Sequence, residues 1–215
     1  MAQETRKLTE KEVNRRDNFE KFKSELEQKG YQCKDILIDT QRAQRSGVLI
    51  LVMLPFMALI FWIYNHVNGF DLDCLSWEFG VAAFLLIPCL AVAHELIHGI
   101  TWGIFAKTHW RSIDFGMIWS SFSPYCTCSK PLKKWQYLLG TAMPTLVLGG
   151  GLGAAAVISN QLLLFLLAEY MILSGGGDFL IVLKCALYHS DQRETVYRDH
   201  PYECGCVVLD RKSVV

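Results

Sequence analysis

Residues 79–105 read FGVAAFLLIPCLAVAHELIHGITWGIF, an apolar stretch that holds one short cluster of ionisable side chains. An apolar run of this length predicts a helix that crosses a membrane, which needs about 20 residues. The cluster reads His94-Glu95-Leu96-Ile97-His98. Residues four apart share one face of a helix, so the two histidines lie one turn apart on the same side. Ionisable groups are costly inside a bilayer, and a functional role is the default explanation for them.

The cluster has the H-E-x-x-H spacing, in which two imidazoles can bind one zinc ion. A glutamate directly after the first histidine can then act as a general base toward water. The sequence therefore predicts His94 and His98 as zinc ligands and Glu95 as the catalytic residue. The alternative is an incidental pattern of two helical histidines beside a surface glutamate, which predicts no bound metal.

Three further apolar stretches lie at residues 47–66, 135–158 and 162–188, and 52% of the 215 residues are hydrophobic. Each stretch is long enough to cross a bilayer. We therefore predict an all-α membrane protein with about four transmembrane helices. The predicted divisions are a charged cytoplasmic region at 1–45, a transmembrane core at 46–190 and a cytoplasmic tail at 191–215.

Two shorter elements are predicted outside the spans. A capping box at Thr9 and Glu12 predicts a helix from about residue 10, ending before Gly30. Its thin apolar stripe would lie on the membrane surface or on the rest of the protein; it consists of Val13, Phe19, Phe22 and Leu26. Residues 31–38 predict a short extended piece. The alternating pattern after Ser112 predicts a short hairpin or re-entrant segment between the second and third spans.

The basic residues predict the orientation of the spans. The connections at 66–78 and 159–161 contain no Lys or Arg, whereas the segments before residue 46, at 106–134 and after residue 190 do. Basic connections face the cytoplasm, so both termini are predicted there, in a bacterial cytoplasmic membrane. Lys+Arg and Asp+Glu number 21 each, which gives no indication of a nucleic-acid partner. The oligomeric state stays open.

Catalytic zinc usually has three protein ligands, and the fourth apolar stretch offers two acidic candidates, Glu169 and Asp178. At ~1.5 Å per residue, Asp178 lies within about 2 Å of the depth of His94, whereas Glu169 differs by roughly 12 Å. Depth therefore favours Asp178 as the third ligand, with Glu169 as the alternative. Residues 175–177 are all glycine, which predicts a locally weakened helix before Asp178.

The chain has eight cysteines, four of which form two C-x-C pairs, Cys126/Cys128 and Cys204/Cys206. These pairs suggest a second metal site, although their spacing is tighter than that of structural zinc. Free thiols facing a reducing compartment are the other interpretation, and the one we favour.

Several stretches together resemble a bacterial family of zincin peptidases, which is similar to the site-2 proteases, the intramembrane zinc metalloproteases. They are HELIHG at 94–99, PYC at 124–126, PLKKWQY at 131–137, GD at 177–178 and DHP at 199–201. The resemblance covers roughly residues 45–210. It implies Zn2+ as cofactor, His94, His98 and Asp178 as ligands, and Glu95 as the catalytic acid/base.

The function expected from the motif and the resemblance is that of a zinc-dependent membrane metallopeptidase, which hydrolyses a peptide bond in or near the membrane. Its partners would be the lipid bilayer and a peptide or membrane-protein substrate. The alternative is a membrane protein that binds zinc without catalysis, as a sensor or a scaffold.

Overall fold

The structure is a computed structural model and describes residues 10–39, 47–69, 76–118, 123–190, 194–201 and 203–211. In chain order the elements are α1 (Glu10–Gln28), β1 (Tyr31–Leu37), α2 (Val48–Asn68), α3 (Trp77–Phe105), β2 (Ile113–Ile118), β3 (Ser123–Cys128), β4 (Leu132–Lys133), α4 (Lys134–Pro144), α5 (Gly151–Ser159), α6 (Leu162–Ser174), α7 (Gly176–Leu187), β5 (Glu194–Asp199) and β6 (Gly205–Arg211). A π-helix, Thr145–Gly150, joins α4 to α5.

Three of the helical segments are long and apolar enough to cross a membrane: α2, α3 and the continuous stretch Lys134–Ser159. They match the first three predicted spans. The fourth predicted span is a pair of helices, α6 and α7, bent by 43° at the break between them. The described part of the chain therefore has three candidate crossings, or four if the bent pair counts as one.

The expectation of an all-α protein is wrong, because the structure contains two β-sheets. The larger has four antiparallel strands in the order β1-β6-β5-β4. Its central strand β6 contains the run Cys206–Leu209, which is buried on both faces. A strand buried on both faces shows a continuous apolar run rather than alternation. Such a run does not by itself distinguish a strand from a buried helix. The extended piece predicted at 31–38 is confirmed as β1.

Alternate residues of β6 pack into two different hydrophobic cores. Val207 and Leu209 pack with Phe19 of α1, whereas Cys206 and Val208 pack in the core that contains Tyr137 and other helical residues. The predicted N-terminal helix is thus confirmed as α1, and Phe19, Phe22 and Leu26 of its apolar stripe pack on the sheet. The capping signature at the start of that helix depends on side chains outside the described part of the chain.

The predicted hairpin between the second and third spans is confirmed as the antiparallel pair β2–β3, with Ile113 opposite Cys128. It packs directly on α3, because Gly99 has no side chain: a Cβ there would run into the Phe115 ring. From the other side, the Arg15 guanidinium of α1 donates hydrogen bonds to Thr127 Oγ1 and to the Tyr125 hydroxyl. The hairpin is therefore held over the turn of α3 that carries the H-E-x-x-H stretch.

The opposite end of the bundle is held by two hydrogen bonds between the C-terminal ends of α2 and α5. The Asn68 side chain donates a hydrogen bond to the Val157 carbonyl at 3.1 Å, and the Tyr64 hydroxyl donates to the Asn160 side chain at 3.5 Å. The start of α2 packs instead in the core that includes the sheet. The C-terminal ends of α2 and α5 therefore meet at one end of the bundle, and the sheet lies at the other.

A half-buried carboxyl links the sheet to α4. The Tyr137 hydroxyl donates a hydrogen bond to Asp199 Oδ1 at 3.1 Å. Burial raises the pKa of the Asp199 carboxyl to about 7, and this hydrogen bond only partly offsets the increase. Because the pKa is higher in the folded than in the unfolded chain, the folded state holds the proton more firmly. The stability that Asp199 contributes is therefore full below about pH 4 and is lost as the pH rises to about 7.

We expect Asp199→Asn to raise the melting temperature more at pH 8 than at pH 5. The amide oxygen still accepts the Tyr137 hydrogen bond, and the buried charge is gone. The additional gain at pH 8 should be about 3 °C, or roughly 1 kcal/mol, measured by thermal unfolding in detergent. Asp17→Asn is the control, since Asp17 is 55% exposed on α1. Equal gains at both pH values would show that the buried charge does not limit stability.

Candidate metal centre

The two histidines of the H-E-x-x-H stretch lie one turn apart on α3 and are both buried. His94 is 8% exposed and His98 is 4% exposed. Their ring centroids are 4.9 Å apart, as residues at i and i+4 on one helical face should be. The pair therefore forms a compact imidazole cluster inside the bundle.

Asp178 reaches this cluster from the first turn of α7. Its Oδ2 lies 3.0 Å from His94 Nε2 and 3.5 Å from His98 Nε2. The approach depends on the break between α6 and α7, where a side chain on Gly175 would overlap the Thr145 hydroxyl. The glycine run thus lets the chain bend so that the carboxylate faces the histidines.

Of the two acidic candidates in this segment, the structure brings Asp178, and not Glu169, to the histidines. Glu169 lies in α6, nine residues before Asp178 along the chain. Its Oε1 is buried and has no hydrogen-bond partner among the described residues. The depth argument from sequence therefore selected the carboxylate that the fold places at the cluster.

The donor set of this cluster fits a zinc ion. The ligand atoms of His94, His98 and Asp178 all lie within 4.8 Å of one another, and two imidazoles with one carboxylate are a common catalytic zinc set. His98 Nδ1 lies 2.8 Å from the Gly140 carbonyl oxygen, an interaction that requires the proton on Nδ1. His98 Nε2 is the ring nitrogen that faces the Asp178 carboxylate. A proton on Nε2 satisfies this contact in the absence of a metal, and in the neutral ring the Nε2 lone pair is available to a metal cation.

The His98 ring is oriented by groups that the sequence did not single out. It stacks on the Trp102 indole with centroids 5.0 Å apart, and Trp102 Nε1 donates a hydrogen bond to the Tyr137 carbonyl. Gly140 allows this arrangement, because a Cβ there would overlap the indole. Such partners fix the tautomer and direction of a metal-binding histidine. The only sequence signal was the four-residue spacing of His94, His98 and Trp102.

Glu95 is half-buried beside the cluster and faces the hairpin. The backbone amide of Cys126, in β3, lies within hydrogen-bonding reach of its carboxylate. Sequence reasoning predicted a hairpin but not that it would touch the catalytic candidate. The carboxylate is therefore positioned by a strand as well as by its own helix.

The C-x-C pairs do not form a second cluster of this kind. In the part of the chain that the structure describes, His94, His98 and Asp178 are the only group of three or more His, Cys, Asp or Glu side chains close enough to share a metal. Cys126, Cys128 and Cys206 are buried free thiols, and Cys206 Sγ lies 3.0 Å from Cys185 Sγ. For the described residues, the interpretation as free thiols fits better than a second metal site.

Comparison with known proteins gives one match. A family model described as "Putative zincin peptidase" matches residues 87–192, a range that includes the H-E-x-x-H stretch, the hairpin and Asp178. The resemblance to a zincin peptidase family is confirmed for these residues, and the family description points to a zinc metallopeptidase. The similarity to site-2 proteases stays an expectation. No curated protein and no solved structure matches the chain.

We expect about one zinc per chain in the purified protein, and we expect Asp178→Ala to lose it. Removing one of three protein ligands leaves the two imidazoles without the carboxylate that neutralises the ion. Metal content measured by mass spectrometry after equilibration with limiting zinc tests this. Glu169→Gln is the matched control, because it removes the other carboxyl of the same bent segment. Retention of zinc by Asp178→Ala would refute the role of Asp178.

We expect Gly140→Ala to weaken zinc binding by about 10–100-fold, the range typical for groups that orient a metal ligand. The added methyl would displace the Trp102 indole and with it the His98 ring. Competition with a chelator of known affinity measures the loss. Gly151→Ala, where a Cβ meets open space, should bind zinc as the parent does. Equal affinity in both variants would refute the orienting role of Gly140.

Proposed function

We propose that this chain is a zinc-dependent metallopeptidase of the bacterial cytoplasmic membrane, which hydrolyses a peptide bond in or near the bilayer. The observation that carries the proposal is the convergence of His94, His98 and Asp178 inside apolar helices, with Glu95 directly beside them. The family description supports the same class of activity.

His94 Nε2, His98 Nε2 and an Asp178 carboxylate oxygen are the atoms that would hold the zinc ion. When bound, zinc supplies a Lewis acid that polarises a carbonyl oxygen and lowers the pKa of water to about 7. The Gly140 carbonyl keeps the His98 proton on Nδ1, so that Nε2 stays free to act as a ligand. The burial of both rings keeps bulk water from competing for these donors.

Glu95 is the general base in this proposal. One carboxylate oxygen accepts the proton of the water that attacks the scissile carbonyl, and later gives that proton to the leaving amine nitrogen. The backbone amide of Cys126 lies beside this carboxylate. Strand β3 of the hairpin therefore lies next to the side chain proposed to transfer the proton.

The pairing of β1 with β6 supports four membrane crossings. β1 precedes the first apolar helix and β6 follows the last, yet their backbones are hydrogen-bonded neighbours over Tyr31–Leu37 and Gly205–Arg211. The chain therefore returns to the side on which it began, which requires an even number of crossings. Counting the bent pair α6–α7 as one crossing gives four. The basic residues near the sheet then favour the cytoplasm for that side.

We expect Glu95→Gln to keep about one zinc per chain and to lower peptide cleavage by about 100-fold or more. The amide cannot accept the proton from water, but the three metal-binding side chains are untouched. The assay uses the zinc-loaded, full-length protein in liposomes with a library of apolar peptides, and mass spectrometry identifies the products. Glu169→Gln is the control for loss of a membrane carboxyl.

Two outcomes would contradict the proposal in different ways. Cleavage by Glu95→Gln at the rate of the parent would exclude Glu95 as the general base. A zinc-loaded parent that cleaves no peptide would favour the alternative, a membrane protein that binds zinc as a sensor or scaffold.

A further inference from the structure

An apolar cavity of about 250 Å³ lies between α2, the π-helix, α6 and α7. The cavity is partly open, and its walls include Met53, Gly150, Phe179 and Val182 together with Phe56 and Leu146, which are also exposed on the outer surface of the helices. Among the residues that line it, only Thr145 and Asp178 carry a polar side chain. An occupant would therefore lie in almost wholly hydrocarbon surroundings.

This cavity and the candidate metal centre share one residue, Asp178. The side chain that lines the cavity places its Oδ2 3.0 Å from His94 Nε2. A group held in the cavity would thus lie beside one of the three residues proposed to hold the zinc. In a peptidase, the part of a substrate that lies there is a side chain beside the bond that is cleaved.

We propose that the cavity is the subsite for a large apolar side chain, of leucine or phenylalanine, next to the scissile bond of the substrate, and that Gly150 sets its size. This inference rests on the proposed peptidase function. A dry apolar cavity of about 150 Å³ is enough to bind benzene, so the observed volume suits either side chain. A charged or amide side chain would lose its hydrogen bonds to water and find few replacements.

Three successive glycines at residues 149–151 have different surroundings. A Cβ on Gly149 would press against the Ile172 side chain, whereas a Cβ on Gly150 or Gly151 would meet no atom within 4 Å. Of these last two, Gly150 lines the cavity and Gly151 does not. Gly150 is also the last residue of the π-helix, a rare distortion that is frequent at functional sites. A Cβ at 150 is therefore accommodated without overlap, at a residue that lines the cavity.

The first arm of the test compares cleavage specificity in the parent, Gly150→Leu and Gly151→Leu. A peptide library varied around one cleaved bond is digested by each zinc-loaded protein. We expect the parent and Gly151→Leu to favour Leu or Phe over Ala at one position by at least about 10-fold. Gly150→Leu should lose that preference, because its own side chain occupies the cavity.

The second arm needs no catalysis. In proteins that also carry Glu95→Gln, a peptide with photo-leucine at the selected position is irradiated, and the crosslinked residues are mapped by mass spectrometry. We expect crosslinks to Met53, Leu146 or Val182, lost with Gly150→Leu and kept with Gly151→Leu. Zinc content and melting temperature verify that each variant folds. If Gly150→Leu does not fold, Val182→Phe fills the cavity from α7 and carries the same expectation.

The outcomes separate the subsite from the activity. Cleavage whose specificity is unchanged by Gly150→Leu, or crosslinks that map elsewhere, would overturn the subsite and leave the peptidase proposal standing. Crosslinks in the cavity without any cleavage by the zinc-loaded parent would overturn the peptidase proposal, and with it the role as a substrate subsite. A copurified lipid that is lost only from Gly150→Leu, with crosslinking unchanged, would identify an acyl chain as the occupant and overturn the subsite.

Discussion

The central constraint on this fold is that a cluster of ionisable side chains must be satisfied inside apolar helices. An isolated charge or a lone imidazole is costly at that depth, so His94, His98 and Asp178 are held together. Much of the surrounding architecture serves this contact. The chain breaks at Gly175 to turn α7 toward α3, and α4 contributes a carbonyl that fixes one imidazole. The apolar cavity beside Asp178 is bounded by the same bend.

The sequence predicted the elements whose signals are local. The H-E-x-x-H spacing identified the two histidines, and the apolar runs predicted the helices that carry them. Because helical rise is constant, depth along two spans also distinguished Asp178 from Glu169 before any contact was known. The structure places Asp178 at the histidines.

The features that the sequence did not predict depend on contacts between residues far apart in the chain. Gly140 looks like an ordinary small residue in a helix until its carbonyl meets His98, 42 residues away. The strand β6 shows no alternation, because one face packs on α1 and the other on the helical bundle. The reach of β3 to Glu95 follows from the packing of Phe115 over Gly99, which no local pattern encodes.

The pairing of β1 with β6 also orders events during biosynthesis. β1 leaves the ribosome about 170 residues before its partner, so this pairing is among the most non-local in the chain. All the apolar helices are synthesised in between and can insert before the sheet closes. A chain that stops before residue 205 would contain all three side chains of the metal cluster. It would lack β6, the strand on which α1 and the end of the bundle pack. Completion of translation thereby becomes a checkpoint, because the four-stranded sheet closes only after every apolar helix has left the ribosome.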